Sequence, residues 1–220
     1  KKNIRKIFQM ASQEGSVDMD LVHECSNTVV SAAESGDLDG VLRELRDHHS
    51  YTFVHNLKVA SVMTIFGKHI GLKHSDLNML ARGGLLHDIG KFKTPPALLD
   101  KPSKLDEKEW AEMRLHPDHA FSLLDVEAGV PPEVLNIATR HHEKMDGTGY
   151  PLGLKGAQLD DLSLIASIAD VYSALTDKRS YKPSLPLEKT VEIMTSMRGH
   201  HLEPGFLDKF LEMVQEGLLE

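Results

Sequence analysis

Seven side chains are of metal-binding type and stand where the surrounding residues make their charge or polarity expensive: His55, His87, Asp88, His116, His141, His142 and Asp170. His55 shares a helical face with Val59, Val62 and Phe66, so its imidazole falls among apolar neighbours. His87 and Asp88 end the apolar run Gly83-Gly84-Leu85-Leu86, and an ionised aspartate there needs a partner or a metal. His116 precedes Pro117, where a helix is interrupted. His141 and His142 are adjacent at a helix end, so two imidazoles can face one site from two angles. Asp170 is the sharpest anomaly, because the segment Leu164 to Val171 is too apolar to face water.

Taken singly, each histidine has a plainer reading as a satisfied core residue or a solvated one. Together they are five imidazoles and two carboxylates, a donor set that suits iron, manganese, nickel or zinc better than calcium or magnesium. They are too many for one catalytic ion that must keep open positions. They suit two ions with one carboxylate bridging. Two such ions about 3.5–4 Å apart bind phosphate oxygens and acidify a shared water, which is the chemistry of phosphate ester hydrolysis.

Nearly every segment that must position these residues reads as helix. A long helix is predicted from Ser50 to about Gly71, and Ser75 is placed to cap the next, which ends at His87-Asp88 with Gly90 as a stop. Asp106 with Glu109 has the spacing of a capping box. Pro131-Pro132 opens the helix that delivers His141-His142, and Asp146 to Pro151 must be a loop. A buried helix from Leu162 to Leu175 carries Asp170, and two amphipathic helices follow, Leu187 to Arg198 and Pro204 to Leu219. No strand or repeat is apparent, and the fold class is all-α.

Composition narrows the partners. The 220 residues carry a net charge of −8, which excludes a broad basic face for long nucleic acid. Phosphate chemistry must therefore be local. The single cysteine excludes an internal disulfide and fits a reducing, cytoplasmic compartment. No apolar run approaches the roughly 20 residues of a membrane span, so no membrane insertion is expected. The chain begins with Lys1 rather than Met, which suits a fragment of a longer protein. Residues 1–49 are expected to be a helical connector or extension to an upstream sensory or receiver domain, with a homodimer contact as one role and a free-standing cap as the alternative. Residues 50–220 are expected to form the catalytic domain.

The string Leu85-Leu86-His87-Asp88-Ile89-Gly90-Lys91 is similar to the motif of the HD superfamily of metal-dependent phosphohydrolases. The run His141-His142-Glu143-Lys144-Met145-Asp146-Gly147-Thr148-Gly149-Tyr150-Pro151 resembles the defining motif of its HD-GYP branch, and Ile168 to Tyr172 and Arg179 to Lys182 follow at the branch's spacing. The resemblance spans roughly Ser50 to Phe210. It implies an HD-domain helical bundle with extra C-terminal helices and hydrolysis of cyclic di-GMP to pGpG or onward to GMP. It also implies two divalent transition-metal ions, iron or manganese first and nickel or zinc compatible, held by the same seven residues with Asp88 as the bridge. Branch members with a third metal carry a glutamate where this chain has Tyr51, so two ions are expected.

By the same resemblance Lys91 stabilises charge on the phosphate, Arg179 and Lys182 clamp it, and the Gly149-Tyr150-Pro151 loop contacts substrate. Ser173 and Glu203 depart from the aspartates common in the branch, and Ser173 is expected to alter base recognition or rate. His48, His49, His69, His74, His119, His200 and His201 are read as solvated or structural, and Trp110 as a packing anchor. Three alternatives stay open: a phosphodiesterase for cyclic GMP-AMP, a non-catalytic cyclic-dinucleotide sensor or scaffold that docks diguanylate cyclases, and a mononucleotidase.

Overall fold

The structure is a computed structural model describing residues 2–36, 51–125, 129–177 and 184–219. Among them the order is α1 (Lys2–Glu14), α2 (Met19–Ser35), α3 (Tyr51–His69), α4 (His74–Leu86), a 3-10 turn (Ile89–Lys93), the short α5 (Pro96–Leu99), α6 (Glu107–Met113), α7 (His116–Leu124), α8 (Pro132–Arg140), α9 (Asp161–Thr176), α10 (Leu187–Ser196) and α11 (Pro204–Gln215). No strand occurs among the described residues, and none of their helices is long and apolar enough to cross a membrane.

The centre is α3, whose apolar residues run round its whole circumference. Phe53, Leu57 and Ala60 face one core with Ile7 of α1, Val22 and Val29 of α2, and Leu77, Ala81 and Leu85 of α4. Val59, Val62, Met63 and Phe66 face a second core with Ile137 of α8, Ile165 and Ile168 of α9, and Phe210 of α11. Burial on both sides offsets the cost of the polar groups α3 also encloses, at about 1.5–3 kcal/mol for each large apolar side chain. Because α1 and α2 share the first core, the N-terminal helices pack directly on the helices that carry the site. The expected boundary at residues 49–50 lies outside the described residues.

Local signals set the helix ends that matter. Asp106 Oδ1 accepts from the backbone N–H groups of Lys108 and Glu109, both at 2.9 Å, while Glu109 Oε2 accepts from Asp106 N at 2.8 Å. This is the expected capping box. The helix is interrupted between Met113 and His116, as the proline at 117 requires. Asp160 caps α9 by accepting from Ser163 N, and Glu203 caps α11 by accepting from Phe206 N, so the glutamate at 203 has a local role. One expectation is corrected. Ser75 does not cap α4, which starts a residue earlier at His74 with Lys73 in the cap position, and the Ser75 hydroxyl turns to Asp76 instead.

Gly90 is needed for close approach. A Cβ there would lie 1.9 Å from the His116 carbonyl oxygen and 2.6 Å from Ala120 N. Only a glycine lets the turn after Asp88 lie against α7 and bring Asp88 to His116.

Candidate metal centre

All seven residues selected for metal chemistry converge between α3, α4, α7, α8 and α9, and five of them, His55, His87, Asp88, His116 and His141, are buried. Two donor groups form. Asp88, His116, His141 and His142 offer ligand atoms within 4.8 Å of one another, and so do His55, His87 and Asp170. Asp88 lies between them. Its Oδ2 is 3.5 Å from His87 Nε2, and its Oδ1 is 3.4 Å from His116 Nε2 and 3.8 Å from His141 Nε2. Asp170 also reaches both sides, with Oδ1 2.9 Å from His55 Nε2 and Oδ2 3.9 Å from His142 Nδ1.

Helix ends aim the imidazoles. Carbonyls in the last turn of a helix have acceptor capacity to spare, and three histidines use it, His141 at a carbonyl that its own backbone N–H also reaches. His87 Nδ1 donates to the Gly84 carbonyl at 2.8 Å, His116 Nδ1 to Met113 at 2.8 Å, and His141 Nδ1 to Ile137 at 3.2 Å. A carbonyl only accepts, so each Nδ1 carries the proton and each Nε2 presents a lone pair inward. Burial keeps these rings neutral, pulling His116 down to about 3 and His141 to about 4, and His87 and His142 also fall below their ordinary range. Consequently the Nε2 atoms of His116 and His141, 3.4 Å apart, face each other as acceptors. His87 Nε2 and Asp88 Oδ1 are buried without a hydrogen-bond partner among the described residues. Acceptors turned towards acceptors in a dry interior are costly unless a cation lies between them. The donor set therefore fits divalent metal ions.

Burial alone would raise the carboxyl of Asp88, but Lys91 and the imidazoles hold it well below the carboxylate range. The Lys91 ammonium is 2.6 Å from Asp88 Oδ2. Asp170 is likewise held ionised against its burial, chiefly by His55.

His55 differs from the other rings, and its difference exposes a residue the sequence reading missed. Its Nδ1 donates to Asp177 Oδ2 at 2.9 Å, and Asp177 Oδ1 accepts from Lys58 Nζ at 2.7 Å. Burial opposes charge on His55, yet the hydrogen bonds to Asp170 and Asp177 outweigh it and lift the ring to about 9. A carboxylate behind a ligating histidine fixes its tautomer and raises its basicity. Asp177→Asn is therefore expected to weaken retention of the ion beside His55 by about 10–100-fold, measured by chelator competition. Unchanged affinity would show that Asp177 does not orient the ring. Ser173, one turn earlier, is fully buried and its hydroxyl lacks a partner among the described residues.

These shifts set the pH response of the metal-free protein. His116 and His141 have folded pKa values below their ordinary 6.5, so the unfolded chain binds more protons and stability falls as pH drops from 6.5 towards 4. Each contributes about 1.4 kcal/mol per pH unit in that window. His55 is raised, so its stabilisation is complete below 6.5 and is lost as pH rises through about 9. Thermal melting of chelator-treated protein is expected to peak near pH 6.5 and to fall on both sides. A flat profile from pH 5 to 9 would contradict neutral His116 and His141 beside a protonated His55.

The predicted substrate loop borders the imidazoles. Tyr150 stacks on His142 with ring centroids 4.7 Å apart and meets His116 edge-on at 6.3 Å. Burial and the charges of Asp88 and Asp170 raise its phenol, which stays protonated. A Cβ on Gly149 would come 2.5 Å from Glu143 Cα, so glycine allows the loop to fold onto the His142–Glu143 backbone. Glu143, buried and unremarked in the sequence reading, fastens the far side: its carboxylate accepts from Leu152 N at 2.7 Å and Leu154 N at 3.0 Å. Arg179 and Lys182 lie outside the described residues. Trp110 is not a packing anchor, being 47% exposed.

A family model described as HD domain matches residues 41–205. The chain belongs to the HD domain family. Among relatives of this HD domain, a cyclic di-GMP phosphodiesterase of Pseudomonas aeruginosa is 32% identical over 195 residues, covering 89% of this chain and 46% of that protein. A 3'3'-cGAMP-specific phosphodiesterase of Vibrio cholerae is 41% identical over 158 residues, covering 72% of this chain and 36% of that protein. The chain thus spans less than half the length of these relatives. Among solved structures, an HDG"Y"P protein from Bdellovibrio bacteriovorus superposes with a TM-score of 0.75 at 18% identity, over 97% of this chain and 68% of that one, and supports the fold.

Proposed function

We propose that this HD domain is a phosphodiesterase that hydrolyses cyclic di-GMP to linear pGpG or onward to GMP, at a site for two divalent transition-metal ions. One observation carries the reading: imidazoles whose Nδ1–H groups are already engaged turn their free Nε2 atoms towards two ionised aspartates beside an aromatic loop. The phosphodiesterase names of the relatives support it.

In this proposal His55, His87 and Asp170 hold one ion, His116, His141 and His142 the other, and Asp88 is shared. Such ions, when bound, supply Lewis acidity to phosphate oxygens and acidify water near neutral pH. Iron or manganese suits this nitrogen and oxygen set, and nickel or zinc is compatible. Lys91 places a positive charge beside Asp88, where it can stabilise charge developing on the phosphate. Tyr150, held protonated, offers a flat ring and a hydroxyl donor, while Gly149 and Pro151 shape its loop. Arg179 and Lys182 are the phosphate clamp that the HD-GYP resemblance implies.

The test is turnover by protein loaded anaerobically with iron(II) or manganese(II), with products separated by chromatography. The appearance of pGpG is expected. Intact cyclic di-GMP at full metal occupancy would overturn the proposal. A second reading, preference for 3'3'-cGAMP, is favoured by the 41% identical relative. The ratio of kcat/KM for the two substrates decides between them.

A further inference from the structure

The stack that starts at the metal-binding imidazoles does not stop at Tyr150. The Arg114 guanidinium lies 5.5 Å from the Tyr150 ring centroid and 6.0 Å from that of Trp110. With His142 beneath Tyr150, flat groups continue from the candidate ligands to an exposed indole at the surface. Two features set this row apart from ordinary surface packing. The chain's only tryptophan is left 47% exposed, although indole burial is strongly favourable. The Arg114 guanidinium, in a protein of net charge −8, makes no ion pair or hydrogen bond among the described residues and touches only the two rings. Its donors are uncommitted.

An exposed aromatic face beside a free guanidinium suits a nucleobase: every base offers a π face for stacking, and arginine donors match the O6 and N7 acceptors of guanine in two parallel contacts. Adenine presents an amino donor where guanine has O6, so the same guanidinium meets one mismatched group.

We propose that Trp110, Arg114 and Tyr150 form a guanine subsite at the mouth of the metal centre, in which one base of the cyclic dinucleotide stacks on the indole and Arg114 reads its O6/N7 edge. This rests on the phosphodiesterase reading and deepens it by assigning base recognition, which the sequence motifs leave open. The two purines of a cyclic dinucleotide flank its phosphates. A phosphate engaged at the metals therefore leaves a base close enough to meet Tyr150 and what lies beyond it.

Because Trp110 is the sole tryptophan, its emission reports on this subsite alone. On mixing metal-loaded protein with cyclic di-GMP, the emission is expected to change before product forms. Trp110→Ala is expected to raise KM for cyclic di-GMP on the order of tenfold, with kcat changed far less and Trp110→Phe restoring most of the loss. Arg114→Gln is expected to narrow the gap between the KM of cyclic di-GMP and the inhibition constant of cyclic di-AMP by roughly tenfold. Metal content and melting temperature of each variant check that the fold is kept, and the emission of the unaltered protein is independent of any folding defect. Turnover with unaltered tryptophan emission and an unchanged KM in Trp110→Ala overturns the subsite and leaves the phosphodiesterase standing. An emission change without turnover supports the subsite and removes the phosphodiesterase.

Discussion

Asp88→Ala is expected to abolish turnover and to strip the protein of both ions, where loss of any other single ligand would weaken mainly one. The reason is position. One oxygen of Asp88 faces His87 and the other faces His116 and His141, so this carboxylate stands between the two donor groups within 3.5 Å of a histidine in each. Lewis-acid stabilisation of a phosphoryl transition state amounts to several kcal/mol, and its loss slows turnover on the order of a thousandfold or more. Asp88→Asn preserves the size of the side chain while removing its charge, and it should lose metal as well. Removing the carboxylate also frees Lys91 from its 2.6 Å ion pair. Elemental analysis alongside activity checks the prediction. Two ions retained per chain with ordinary turnover would show that Asp88 is not shared.

The second large effect is expected where no metal is touched. Glu143→Ala removes the acceptor of two backbone N–H groups in the loop that follows Tyr150. Hydrogen bonds to a charged group contribute roughly 1.5–3 kcal/mol each, so the loop loses its main fastening to the helix end bearing His141 and His142. A misplacement of about 1 Å in a group that orients substrate can slow a reaction about a hundredfold. Turnover is therefore expected to drop by about that factor with both ions still bound. Hydrogen exchange at Leu152 and Leu154 should accelerate in parallel. Metal loss equal to that of Asp88→Ala would mean that Glu143 supports the ligands rather than the loop.

What could be read from the sequence followed from how unusual each residue was in its own neighbourhood. Asp170 in an apolar helix and His55 on an apolar face announced themselves because an isolated buried charge or imidazole needs a partner. The capping box at Asp106 and Glu109 was legible because its hydrogen bonds span only a few residues. Asp177 carried no such signal. It sits among Thr176, Lys178 and Arg179, where an acid reads as a solvated helix end, and its histidine is 122 positions away. Glu143 was hidden in the same way, between His142 and Lys144, although it is 1% exposed. Trp110 misled in the opposite direction: hydrophobicity argued for burial, and α6 instead leaves the ring at the surface beside Arg114. Ser75 shows the limit of cap signals, since a competing start one residue earlier took its place.

The most direct test of the central claim is an anomalous-scattering map of crystals of the protein loaded with iron(II) or manganese(II). Two peaks about 3.5–4 Å apart, with Asp88 between them and the imidazoles of His55, His87, His116, His141 and His142 turned towards them, are the expected result. A single peak, or none with those rings paired among themselves, would contradict the dinuclear centre on which the proposed hydrolysis depends.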